Sequence, residues 1–275
     1  MKGSLYNVIF IDSLFFVMLM LSGSLTGVLS EVVYYLAFAI PIFLGFFAIR
    51  RGACHENTRF SKIKREGITL SAALLFPTVA LVLCISCLTD AVLGPSFAPA
   101  SPVTEDNILV ALVLHALLPA VLEEILFRYI PIRLLSGHSP RYAILISALL
   151  FSAVHHTVRA IPYAFVAGVI FALVDVATKS IYPSLVFHFV NNAISVALVF
   201  YANVPAVLIP LVSVLALLVI ISIAVIVAKR KDFRSLIRPA TSAGTGYEGG
   251  LAPAVLLIPA AAIALLEIYS VIFGA

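Results

Sequence analysis

The chain has 275 residues, of which 63% are hydrophobic and only 11% charged, with a mean hydropathy of +1.16 and a formal charge of +4. A soluble domain is about 45–50% apolar and about 25% charged, so the composition excludes a water-soluble globular enzyme, a disordered chain and a disulfide scaffold. It predicts an all-α, polytopic membrane helical bundle, in which the position of each scarce charge is informative.

Apolar runs of about 18 residues or more read as spanning helices. They fall at 8–28, 31–49, 68–93, 107–135, 140–158, 160–178, 181–202, 204–228 and 251–273, which predicts about eight to nine transmembrane helices. The first run reads as a retained anchor, because Lys2 alone precedes it and it is long for a signal peptide. Pro41, Pro77, Pro119, Pro162 and Pro183 lie inside runs and mark kinks or helix starts, which membrane helices tolerate when neighbours re-satisfy the backbone. Cys84 and Cys87 form a C-x-x-C within a run, and read as small buried residues on one helix face rather than as a redox motif.

Orientation follows from Lys and Arg in the short loops. Arg50, Arg51, Arg59, Lys62, Lys64 and Arg65 place 50–67 in the cytoplasm. The turn between Arg133 and Arg141, Lys179, and the segment 229–250 that opens Lys229-Arg230-Lys231 fall on the same side. The segment 94–106 has Glu105 and Asp106 but no Lys or Arg, and falls outside; Arg159 is the one base placed outside. The predicted protein is therefore an integral multi-pass membrane protein with a cytoplasmic N-terminus. Its membrane would be a bacterial or archaeal plasma membrane, or the endoplasmic reticulum. Membrane lipid is the expected partner of the basic loops; no nucleic-acid partner is expected. Residues 239–250 are rich in Gly and read as a cytoplasmic linker. The organisation is N-terminal transmembrane helices at 1–104, a core at 105–205, and C-terminal transmembrane helices with the linker at 206–275.

Ionisable residues inside spans are costly and point to function. Those at depth are His115, Glu123, Glu124, Arg128, His155, His156, Asp175, His188, Asn191, Asn192 and Glu267, mostly between 115 and 192. Glu124 and Arg128 are four apart, so they share a helix face and can pair. Glu123 points about 100° away from that pair and suits a general base; a single structural ion cluster is the bland alternative. Phe151 and His155 are four apart, so ring and imidazole can pack, or His155 is a core histidine bonded to a neighbour. His156 faces elsewhere, and Ser152 reads as packing. His188 and Asn192 are again four apart, offering an imidazole N–H and an amide NH₂ on one face. Two convergent donors suit an oxyanion; interhelical bonding is the alternative. Counted from their nearest cytoplasmic turns, Glu123, His155 and Asn192 reach similar depth, which predicts convergence in a cavity open to the cytosol.

The ordered set Glu123-Glu124-Ile-Leu-Phe-Arg128, Phe151-Ser-Ala-Val-His155 and His188-Phe-Val-Asn-Asn192 resembles the CPBP family, the type II CAAX prenyl endopeptidase and bacteriocin-processing membrane proteases once called abortive-infection proteins. Each motif alone is weak; the three in order on successive membrane helices are specific, and they cover roughly residues 105–205. The resemblance implies a glutamic intramembrane endopeptidase. Glu123 would be the base that activates water, assisted by His155, and His188 with Asn192 would form the oxyanion hole. Glu124 and Arg128 would support the architecture, with Phe151 beside them. The implied substrate is a membrane-associated peptide or protein, prenylated or leader-bearing. No cofactor and no metal ligand is expected. A zinc protease using the same residues is the nearest rival, although H-E-x-x-H is absent. A serine protease is disfavoured by the lack of G-x-S-x-G. A non-enzymatic immunity or binding membrane protein, and a proton-relaying transporter, are rivals from other classes.

Overall fold

The computed structural model describes residues 2–51, 62–94, 107–155 and 157–241. The described residues form nine helices and no strand. They are α1 (Lys2–Gly23), α2 (Gly27–Arg51), α3 (Arg65–Leu93), α4 (Ile108–Leu134), α5 (Pro140–Ala153), α6 (Ala160–Thr178), α7 (Tyr182–Phe200), α8 (Pro205–Ala228) and α9 (Arg230–Thr241). Seven are long and apolar enough to cross a membrane, and α5 is a shorter apolar helix. The chain is an integral membrane protein with a polytopic helical bundle. The run at 251–273, with Glu267, and His156 lie outside the described residues.

Side chains pack in two main cores. One joins α1, α2, α4 and α5 through Phe15, Phe38, Phe127, Ile130 and Phe151. The other joins α3, α6 and α7 through Val82, Phe171, Val174 and Phe187. The α5–α6 seam is close because Gly168 faces Ala148: a Cβ added at Gly168 would lie 3.0 Å from the Ala148 Cα. Small residues let membrane helices approach in this way.

Helix α4 carries the first motif and is not a uniform α-helix. It widens into a π turn at Val113–Leu117 and again at Ile125–Tyr129. Each wide turn ends two residues before a proline, Pro119 and Pro131. A proline ring clashes with the preceding turn and removes an N–H, and a π turn is one way for a helix to absorb that. The carbonyl of Phe127, four residues before Pro131, accepts instead from Ser147 Oγ at 2.6 Å. This re-satisfies the freed carbonyl, as burial in an apolar medium requires.

Three features differ from the sequence expectation. First, α5 stops at Ala153 rather than 158, and its 14 residues reach only about 21 Å. His155 then sits in a turn whose N–H donates to Ser152 O, and Thr157 caps α6 by accepting from Ala160 N–H. Residues 154, 155, 157 and 158 lie outside regular helix, and His155 and Thr157 line a cavity, where irregular backbone is tolerated. Second, 230–241 is not a loop but the amphipathic helix α9, with Phe233 and Ala240 buried. It lies against α3, α6 and α8 through Phe233, Leu236 and Ile237, and Arg141 Nε donates to Thr241 O. Third, Cys84 and Cys87 are exposed on the outward face of α3 rather than buried. The spacing puts them on one face, but that face meets the bundle's apolar surroundings instead of its core.

Candidate active site

The described ends of the helices separate by charge. Arg50, Arg51, Arg65, Arg141, Lys179 and Lys229 stand at one end, which we call the basic end. Among the described residues the opposite end has one basic side chain, Arg159, and it pairs with Asp90 at the end of α3. That ion pair ties α3 to the α5–α6 turn.

Glu123 and Glu124 lie in α4 between the two wide turns. Glu124 and Arg128 are fully buried, with Arg128 Nε 3.6 Å from Glu124 Oε2. The pair forms as the four-residue spacing predicts, but the π turn between the two residues leaves it longer than a hydrogen bond. The guanidinium carbon lies 3.9 Å from the centre of the Phe151 ring, a cation–π contact. Phe151 in turn meets His155 edge-on at 4.8 Å and His188 at 5.4 Å between ring centres. One phenyl ring therefore touches the cation and both imidazoles.

His188 is the junction. Its Nδ1 lies 2.8 Å from Glu124 Oε1, and its Nε2 lies 3.8 Å from Glu123 Oε2. A carboxylate only accepts, so Nδ1 carries a proton. His188 thus bridges the two adjacent carboxylates, a link that sequence spacing did not show because the residues are 64 apart. His155 Nδ1 lies 2.8 Å from the carbonyl of Phe151. A carbonyl also only accepts, so in the neutral ring the proton is on Nδ1 and Nε2 is the basic nitrogen.

Glu123, Phe151, His155, His188 and Asn192 line a single cavity of about 530 Å³. Glu124 and Arg128 do not line it; they stand behind the cavity wall. Asn192 Oδ1 accepts from Asn191 Nδ2 at 3.3 Å, which leaves the Asn192 NH₂ as its donor group. Asn191 and Ser195 also line the cavity, and Ser195 Oγ donates to Asn191 O. Ser195 sits three residues past Asn192 on the same helix face, a spacing visible in the sequence. His115 lines the cavity as well. Asp175 is buried apart from it and accepts from Ser184 N–H at 3.1 Å and Ser184 Oγ at 2.6 Å, which locks the start of α7 to α6.

The cavity extends from Glu123 and His188 to Thr157 and Arg159 on the α5–α6 turn and to Val199 near the end of α7. That is the end opposite the basic loops, whereas residue counting from the basic turns had placed the opening on the basic side. Counting gives depth along a helix; it does not show which side the neighbouring helices fill.

Residues 105–194 match the Rce1-like family of type II CAAX prenyl endopeptidases. The matched segment holds all three motifs and agrees with the CPBP resemblance. The match covers 90 of the chain's 275 residues, a likeness over this segment to a family of peptidases. No curated protein and no solved structure matches the chain. Among the described residues no group of three His, Cys, Asp or Glu side chains is arranged to hold a metal ion.

Proposed function

We propose that the protein hydrolyses a peptide bond of a membrane-associated polypeptide, with Glu123 as the general base. The observation that carries this reading is the separation of two adjacent carboxylates: Glu124 is sealed against Arg128 and His188, while Glu123 faces the cavity with His155, His188 and Asn192.

In this mechanism a water molecule sits between Glu123 and His155. Glu123 takes one of its protons, and the oxygen bonds to the scissile carbonyl carbon. The carbonyl oxygen becomes an oxyanion, which the Asn192 NH₂ and His188 Nε2–H stabilise. Glu124 holds His188 by the Nδ1 proton, so an imidazolium at this position presents its second N–H towards Glu123 and the cavity. The C–N bond then breaks, the proton held by Glu123 passes to the departing amine, and the new carboxylic acid releases the water's second proton to solvent to leave a carboxylate. No covalent enzyme intermediate forms.

Glu123→Gln tests the assignment directly. Loss of cleavage with unchanged folding is the expected result, and full activity in that variant refutes it. The zinc alternative is tested by metal analysis of active protein and by chelation followed by zinc return. A farnesylated CAAX peptide and an unprenylated leader peptide, assayed side by side, tell the two substrate classes apart. Full biological function in both Glu123→Gln and His188→Gln would instead favour a binding or immunity role.

A further inference from the structure

We infer that helix α9 lies in the headgroup layer of the membrane and binds the phosphates of anionic glycerophospholipids through its row of bases. Depth, charge and shape each point to that partner.

Depth comes from what α9 touches. The spanning helix α8 ends at Ala228, and α9 starts at Arg230. Phe233, Leu236 and Ile237 then fold back onto Leu70 and Ala73 of α3 and onto Val225 and Ile226 of α8. Leu70 is five residues inside α3, about 7–8 Å from its start. A helix docked at that level lies at the boundary between headgroups and acyl chains, where interfacial helices sit. Its apolar edge is taken up by the bundle, so its other faces meet headgroups and water. Charge follows from the spacing of the bases. Arg230, Lys231, Arg234 and Arg238 fall within about 100° of helix, and all four are exposed. Among the described residues none of them pairs with a carboxylate. Asp232 points to the other flank, 3.8 Å from Lys229. Like charges four residues apart repel, a cost that a bound anion removes. Four or more bases on an amphipathic helix beside a membrane span suit an acidic lipid surface. Shape adds a seat on the other flank. A cavity of about 890 Å³ opens there between α9 and the start of α3. Lys64, Arg65 and Lys229 line it, against Glu66 and Asp232, and Phe233 and Leu236 give it an apolar floor. Ile68 and Val227, at the adjoining ends of α3 and α8, are more than half exposed. A phosphate diester with acyl chains satisfies the bases and covers these apolar side chains together, which a free phosphate does not.

Native mass spectrometry of the full-length protein in a neutral detergent tests this without depending on activity. The probes are dioleoyl phosphatidylglycerol, dioleoyl phosphatidylcholine and, as a soluble headgroup, glycerol 3-phosphate. Phosphatidylglycerol should bind roughly tenfold or more tightly than phosphatidylcholine. Replacing Arg230, Lys231, Arg234 and Arg238 together by glutamine should lower phosphatidylglycerol affinity by about tenfold or more and leave phosphatidylcholine binding unchanged. The same change at Arg50 and Arg51, which stand at the same end but on α2, should alter it by less than about twofold. Equal binding of the two lipids, an equal loss in the α2 variant, or full displacement of the lipid by glycerol 3-phosphate overturns the inference. The substituted side chains are exposed and the apolar edge of α9 is untouched, so the melting temperature in phosphatidylcholine should match that of the parent. If the fourfold variant does not fold, Arg234→Gln alone should still lower phosphatidylglycerol affinity by about threefold to fivefold, and no change there overturns the inference as well.

Discussion

The two sides of α4 carry the same chemical group in opposite circumstances. Behind the helix, Glu124 is closed in with Arg128, His188 and the face of Phe151. In front of it, Glu123 keeps 19% of its side-chain surface and looks into the cavity. One peptide bond separates them, and about 100° of helix rotation turns one carboxylate into a fixed counter-charge and leaves the other able to meet water. Neither environment is a property of glutamate. Each comes from what the neighbouring helices bring to that face.

This contrast can be broken from either side. The largest effect is expected from the front: Glu123→Gln should lower kcat by about 10²- to 10⁴-fold, the range for loss of a general base, while the melting temperature stays close to that of the parent. Asn192→Ala should follow, at about 10²- to 10³-fold in kcat, as for an oxyanion donor, with KM little changed. From the back, Arg128→Met leaves Glu124 without its cation. It should destabilise the bundle by about 3–5 kcal/mol, read as a loss of folded protein rather than as a selective loss of turnover.

Asp12 sharpens the comparison, because it is another intramembrane carboxylate and has neither arrangement. It is buried on α1 against Ile130, Pro131 and Leu150, and its Oδ1 has no hydrogen-bond partner among the described residues. Asp12→Leu should therefore raise stability by about 1–3 kcal/mol, the cost of an unsatisfied buried polar group, with cleavage unaffected. Thermal unfolding of the two proteins in one detergent measures it.

The smallest effect concerns pH. His138, in the turn between α4 and α5, stacks on Tyr142 at 5.0 Å. Burial lowers its pKa from the ordinary value of 6.5. The unfolded chain then takes up this proton at a higher pH than the folded one. The stability contribution is complete above 6.5 and declines as the pH falls through the lowered folded value. His138→Gln should flatten this acid-side decline in a plot of melting temperature against pH.

Much of the bundle was legible because apolar length and loop charge are local properties. The run at 160–178 coincides with α6 at both ends. The three motifs were legible because i and i+4 spacing is also local, and it correctly put Phe151 against His155 and Glu124 near Arg128. What was not legible depends on other helices. The His188 bridge joins α4 to α7, the early end of α5 follows from a turn that lines the cavity, and the direction of the cavity reflects where side chains pack. Helix α9 was different: Phe233, Leu236 and Ile237 recur at helical spacing among bases, a pattern hidden by the run of charges around it. Asp12 was hidden in the opposite way, a single acid within an otherwise apolar run.

The two π turns of α4 make its reading frame adjustable. A π turn holds one residue more than the α-helix needs, so removing one residue from Ile125–Tyr129 would leave a helix that still forms its hydrogen bonds. The wide turn is what absorbs that residue, so the helix beyond the deletion would keep close to its present facing. Arg128 would remain on the face of Glu124 at a spacing of three residues instead of four. What would change is the reach between them, the 3.6 Å that separates guanidinium and carboxylate across the wide turn. The length of α4, as much as its composition, is thus a determinant that substitution scanning alone would never sample.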